Sequence, residues 1–185
     1  ANAGASVAAI AGDMADCETM FAAKALVTAL GGNLFEGRQT GLDYDVTSLS
    51  TVNFNTTIAE AENADVILLV GTNLRWEAAH QHARPQGSVE EGRGPEIDLT
   101  YKVEWLGDDA SLVAKLPKAA LDALKAAERP MLVFGGGALS VPGVHGAALA
   151  LAKSVNAVKD GWNGFNVVHF SAARMGALML GYSQP

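Results

Sequence analysis

Short apolar runs, each closed by glycine and followed by a segment of helical spacing, set the rhythm of this chain. Ser6 to Ala11 is a short apolar run ended by Gly12-Asp13, and it predicts a buried strand. Asp16 then stands where a helix N-cap is needed, with Glu18 in the first turn. Met20, Phe21, Leu26, Val27 and Leu30 follow at helical spacing, and Gly31-Gly32 ends the run. Asn33 to Asn53 is polar and turn-rich and predicts mostly loop. Thr57 to Ala64 reads as a short helical piece. Asp65 to Val70 is the clearest strand, apolar without interruption, as a central parallel strand covered on both faces should be. Gly71-Thr72-Asn73 makes a tight turn, and Trp76 to Ala83 predicts a helix.

The texture changes at Arg84 to Pro95, where Pro, Gly, Glu and Arg show no periodicity and predict a loop. A short strand is expected within Ile97 to Leu106, and helices at Ser111 to Leu116 and Lys118 to Glu128. Pro130 to Phe134 predicts a second buried strand, closed by Gly135-Gly136-Gly137, with a long loop before the next helix at Gly146 to Val155. The tail predicts a turn at 161–166, an apolar Val167-Val168 and a helix from Ser171 to Leu180. Strands alternating with helices imply βαβ units and an α/β fold: an open, mostly parallel, doubly wound sheet with helices on both faces. With no Ser/Pro linker and no internal repeat, residues 1–185 are read as one domain.

Composition narrows the function classes. The chain has 185 residues, 49% of them hydrophobic, which is enough apolar surface to build a core and argues against disorder. The net charge of −7 argues against nucleic acid or an anionic membrane as a generic partner. A single cysteine excludes an internal disulfide and any iron–sulfur cluster or Cys-rich zinc site built from this chain alone. No apolar run approaches the roughly 20 residues of a membrane helix. The first residues carry no basic region of a signal peptide, so a cytoplasmic location is expected.

Two glycine-bearing turns carry the candidate chemistry. Gly135, Gly136 and Gly137 follow a strand, where glycine lets a backbone approach a pyrophosphate; the alternative is a close-packed strand exit. The dinucleotide fingerprint is broken, since Ser140 holds its sixth position. Thr72 and Asn73 lie at the carboxyl end of the best strand, where open α/β sheets bind ligands; the alternative is that Asn73 caps the next helix. His80 and His82 are two apart, not the four of a zinc pair on a helix, and His145 and His169 are isolated, so ordinary surface or satisfied core roles are expected. Cys17 is expected to be a buried structural thiol. Trp76 beside Arg75 suits a protein interface or a side chain packed under the sheet. There is no Walker A loop and no serine nucleophile elbow.

Five stretches in this order resemble one family: 9–16 (AIAGDMAD), 54–59 (FNTTIA), 71–78 (GTNLRWEA), 97–101 (IDLTY) and 161–167 (GWNGFNV). Together they are similar to the large iron–sulfur subunit of the respiratory NADH:quinone oxidoreductase, complex I, in its molybdopterin-oxidoreductase-like part. The resemblance implies a formate dehydrogenase/DMSO reductase-like α/β domain that is a fragment of a larger subunit. It implies no cofactor or metal in this stretch, the iron–sulfur clusters belonging to a Cys-rich N-terminal part. It implies partners among the peripheral-arm subunits and that cluster domain, and a cytoplasmic place peripheral to the inner membrane without direct insertion. Related molybdenum enzymes hold the guanine-nucleotide part of a pterin at such a GTN turn. They also supply a metal ligand where this chain has Glu36-Gly37-Arg38-Gln39-Thr40, which offers no suitably placed thiol or hydroxyl. Thr72, Asn73, Gly135, Gly136 and Gly137 are then vestigial cofactor-binding positions, and no catalytic residue is expected. The competing readings are a catalytic molybdopterin- or nucleotide-binding oxidoreductase fragment and a free-standing small-molecule-binding domain. The stretch 85–95 departs from the family, which has an apolar strand there; none is expected in this chain, leaving the sheet one strand short.

Overall fold

The aliphatic run 66–70 sits where its composition demands, at the centre of a parallel sheet. The computed structural model of the chain describes residues 7–38, 42–78, 88–91 and 103–183. They divide into two compact units, one of residues 1–42 with 169–185 and the other of residues 43–168.

In the larger unit, β3 (Val66–Val70) is flanked by β4 (Ser88–Glu91) and β6 (Pro130–Phe134); β5 (Val103–Trp105) lies beyond β4, and β9 (Phe165–Val167) beyond β6. All four pairings are parallel. β3 and β6 are in register over five residue pairs, from Val66 opposite Pro130 to Val70 opposite Phe134. The Asp65 carboxylate fixes that register at its start by accepting the Glu128 and Arg129 amides at 2.7 and 2.8 Å. Ile67, Leu68 and Leu69 are buried in succession, so both faces of the strand are covered. One face joins Ala61, Ala64, Leu74, Met131, Val133, Trp162 and Val168 in a continuous core. The helix Lys118–Ala126 buries Ala120 and Leu124 and stops short of Pro130, as expected from its spacing. A helix at Val144–Ser154 and a short antiparallel pair, β7 (Val158–Lys159) with β8 (Trp162–Asn163), complete the unit.

One expectation is overturned here. Residues 85–95 hold no apolar run and predict no strand, yet Ser88–Glu91 forms β4 and pairs in parallel with both β3 and β5. The sheet is not short of a strand at that place. Reading for an apolar run misses such a strand, because pairing to two neighbouring strands fixes its backbone whatever its intrinsic propensity. The long loop expected after Gly137 is also corrected: a one-turn helix, Gly136–Leu139, begins at once. The helix expected at 76–83 is seen as Leu74–Glu77, and residues 79–83 lie outside the described residues.

In the smaller unit, β1 (Ala8–Ile10) pairs in parallel with β2 (Leu34–Glu36), and α1 (Cys17–Ala29) connects them. β2 falls inside the stretch whose polar, turn-rich texture predicts loop. Three residues leave too little sequence for a period to show. Asp16 caps α1 as expected, accepting the Thr19 amide at 2.6 Å. At the other end Gly31 adopts φ +86°, and the Gly31 and Gly32 amides bond the carbonyls of Thr28 and Val27, a complete left-handed helix stop. Of the five positions at helical spacing in α1 and its C-cap, only Met20 and Val27 are buried, against Ala11, Phe35, Ala177 and Tyr182. Phe21, Leu26 and Leu30 are exposed. No described helix is long and apolar enough to cross a membrane.

Candidate functional site

Chain order runs outward from β3 to β4 to β5, then returns to place β6 on the other side of β3. The strand order therefore reverses between β3 and β6, and the crevice at their carboxyl ends is where open α/β sheets take ligands. The five candidate residues stand in two turns about 60 positions apart in sequence. The fold brings both turns to this one point.

The turns are packed onto each other. Gly135 N donates to Val70 O at 3.1 Å, and Gly137 N donates to Gly71 O at 2.9 Å. Gly71 has φ +55°, and a Cβ there would collide with the Ala138 backbone. A Cβ on Gly137 would lie 2.8 Å from Gly71 O. The glycines thus serve close approach of two backbones, the close-packed alternative for the Gly135 turn. Thr72 is 1% exposed, and its hydroxyl donates to Glu77 Oε2. Asn73 immediately precedes the helix Leu74–Glu77, and its carbonyl accepts the Trp76 and Glu77 amides at 2.9 Å. Glu77 is the site residue that sequence reasoning passed over; its contact to Thr72 spans five residues, which no i,i+3 or i,i+4 spacing announces.

A pyrophosphate needs open ground beside the glycine that approaches it. Beside Gly135 that ground is taken: a Cβ there would run into Glu77 Oε2 and come within 2.5 Å of Thr72 Cβ and 2.8 Å of Gly71 O. The crevice as folded does not fit the nucleotide part of a pterin cofactor. A small apolar cavity does lie beside β3, lined by Leu68, Val70, Leu106, Leu112 and Val113 among others, but none of the five candidate residues lines it. Among the described residues no three His, Cys, Asp or Glu side chains converge as a metal site requires.

The remaining candidates resolve into structure. Cys17, expected to be buried, is exposed at the first residue of α1. His145 is a satisfied core residue: Nδ1 accepts the Asp45 amide at 3.0 Å, and Nε2 lies 2.7 Å from Thr51 O, to which it donates. His169 is half-buried, and His80 and His82 lie outside the described residues. Trp76 is 83% exposed, so it does not pack under the sheet.

Two of the stretches singled out in the sequence meet. Asn166, fully buried in β9, accepts the Asn55 and Thr56 amides through Oδ1, both at 2.8 Å. The Asn55 side chain donates to Phe165 O at 2.7 Å, and Thr56 Oγ1 donates to Asn163 O at 2.6 Å. Trp162 Nε1 donates to Pro130 O at 2.9 Å, pinning the same turn to the start of β6. These residues lock the outer strand of the sheet. Arg174, which no motif marks, is 2% exposed; it donates to Gly37 O and pairs with Asp13 at 3.1 Å.

The family model for molybdopterin oxidoreductases matches residues 1–185. The G subunit of the NADH-quinone oxidoreductase of Rickettsia felis is 34% identical over 97% of the chain and 28% of its own length. The mitochondrial iron-sulfur protein 1 of NADH dehydrogenase from Solanum tuberosum is 33% identical over 95% of the chain and 25% of its own. The mitochondrial 78 kDa subunit of NADH-ubiquinone oxidoreductase from Neurospora crassa is 35% identical over 96% and 26%. The chain thus spans about a quarter of the length of the curated relatives it matches. A parallel sheet with its crevice at the strand reversal, matched from end to end by the family model, places the chain in the molybdopterin oxidoreductase family.

Proposed function

We propose that this chain is a structural domain of the large iron–sulfur subunit of a respiratory NADH:quinone oxidoreductase of the bacterial type, and carries no redox centre of its own. The whole complex passes electrons from NADH to quinone and translocates protons. This domain supports that flow by holding cluster-bearing parts in place. The observation that carries the reading is the closed junction of Gly71 with Ala138 at the crevice where a cofactor-binding member of the fold would hold its nucleotide. The likeness to the Rickettsia protein and its mitochondrial counterparts supports the choice of complex.

On this reading the sheet is doubly wound, residues 1–185 act as one domain, and Thr72, Asn73 and Gly135 to Gly137 are relics of a nucleotide site. The partners are the N-terminal cluster domain of the same polypeptide and neighbouring peripheral-arm subunits, on the cytoplasmic side of the inner membrane. Trp76, 83% exposed, is the side chain offered to a partner. Metal and pterin analysis of the purified chain tests the proposal. Background levels of molybdenum, tungsten and pterin are expected; a stoichiometric amount of any of them overturns it.

A further inference from the structure

A family fold and a crevice that does not fit the family's cofactor meet at one side chain. Glu77 lies on the one-turn helix after Asn73, and its carboxylate reaches back over the turn it follows. Oε2 accepts a hydrogen bond from the hydroxyl of Thr72, a side chain 1% exposed, and stands against the Cα of Gly135, where any Cβ would strike it. We propose that Glu77 is a built-in occupant of the crevice: its carboxylate takes the place of a nucleotide phosphate between the turns at 71–73 and 135–137, and it keeps anionic cofactors out.

The chemistry of the position supports this. A phosphate oxygen and a carboxylate oxygen are both anionic acceptors, so the Thr72 hydroxyl that would donate to one donates to the other. Gly135 supplies the bare Cα that lets an anion approach the backbone, and the anion that approaches is Glu77. A ligand diphosphate entering the same space would meet both the volume of the carboxylate and a like charge at contact distance. This inference deepens the scaffold reading and rests on it, since it names the device by which a domain of this family stays free of the family's cofactor.

Calorimetric titration with GDP tests it on the 185-residue chain and on Glu77→Ala and Glu77→Gln, with folding of each checked by circular dichroism. The unaltered chain is expected to give no binding heat at millimolar GDP. Glu77→Ala, which removes both charge and volume, is expected to bind GDP at least about tenfold tighter than the limit set by the unaltered chain, and Glu77→Gln, which removes charge alone, to fall between. If both variants fold and neither binds, Glu77 is not what excludes the nucleotide; the inference falls and the scaffold reading stands. Loss of the fold in both variants also overturns it, because an occupant of the crevice is dispensable to the sheet beneath. Stoichiometric GDP binding by the unaltered chain would instead remove the scaffold reading itself.

Discussion

Asn166 and Thr56 hold each other at both ends, the Thr56 amide donating to Asn166 Oδ1 at 2.8 Å and Asn166 Nδ2 donating to Thr56 Oγ1 at 2.9 Å. Both residues are buried, and the same Oδ1 also accepts the Asn55 amide. Replacing Asn166 with Ala removes the acceptor from two amides at once. Each group left unsatisfied in the interior costs about 1–3 kcal/mol, so Asn166→Ala is expected to lower stability by about 3 kcal/mol. Urea unfolding followed by circular dichroism measures it; a loss below about 1 kcal/mol would show that water or a local shift replaces the bonds.

Gly71 combines two demands that a side chain cannot meet together. Its φ of +55° disfavours any Cβ, and the Cβ that Ala would bring points into the backbone of Ala138. Backbone cannot swing aside as a long side chain can, so Gly71→Ala is expected to cost about 3 kcal/mol or more. Gly146→Ala is the control, since nothing lies within 4 Å of a Cβ there; within the helix Val144–Ser154 it should stabilise by about 0.5–1 kcal/mol. A Gly71→Ala midpoint unchanged from the parent would mean that the two turns are not in contact in solution.

What could be read from the sequence was whatever a run or a cap announces. Val66–Val70 and Pro130–Phe134 are long, aliphatic and buried on both faces, and the Asp16 and Gly31 ends of α1 are chemically marked. The strands that escape such a reading, Leu34–Glu36, Ser88–Glu91 and Phe165–Val167, are three or four residues long and exist because a neighbour pairs with them. The site divides in the same way. Position at a strand end pointed to Thr72, Asn73 and the three glycines, but only the strand order brings the two turns together. That Glu77 reaches back between them depends on a side-chain conformation that no spacing rule specifies.

Several loop and helix starts should loosen together in acid. Asp16, Asp45, Glu60 and Asp109 all titrate below the ordinary carboxylate range. The backbone amides and side-chain hydroxyls of Thr19, Thr47, Thr57 and Ser111 donate to these carboxylates and hold them ionised. A depressed folded-state pKa means that the unfolded chain takes up protons first. The stabilisation is therefore present at neutral pH, begins to fade as pH drops through the unfolded value, and is gone below the folded one. Asp16→Asn keeps an acceptor at the α1 cap but cannot titrate. Its stability is expected to fall less steeply between about pH 5 and pH 2 than that of the parent chain. Parallel slopes in acid denaturation of the two proteins would show that the cap carries no proton linkage.

Tyr182 gives the opposite sign. Its ring packs edge-on against Phe35, 5.5 Å between centroids, and its hydroxyl donates to Met20 O at 2.6 Å. Burial raises its pKa above the ordinary tyrosine value, since a phenolate there would lose both water and the proton that makes this bond. A raised folded-state pKa means that the unfolded chain loses its proton first, so the contribution is whole below about pH 10 and is lost as pH climbs above it. Tyr182→Phe keeps the ring contact and drops the hydroxyl, at a cost of about 1 kcal/mol at neutral pH. Lysines titrate in the same range in both proteins, so the difference between the two stability curves isolates the tyrosine. That difference should shrink from about pH 10 upward and vanish or reverse. A gap that stays constant to about pH 11 would mean that Tyr182 ionises as readily in the folded unit as in the unfolded chain.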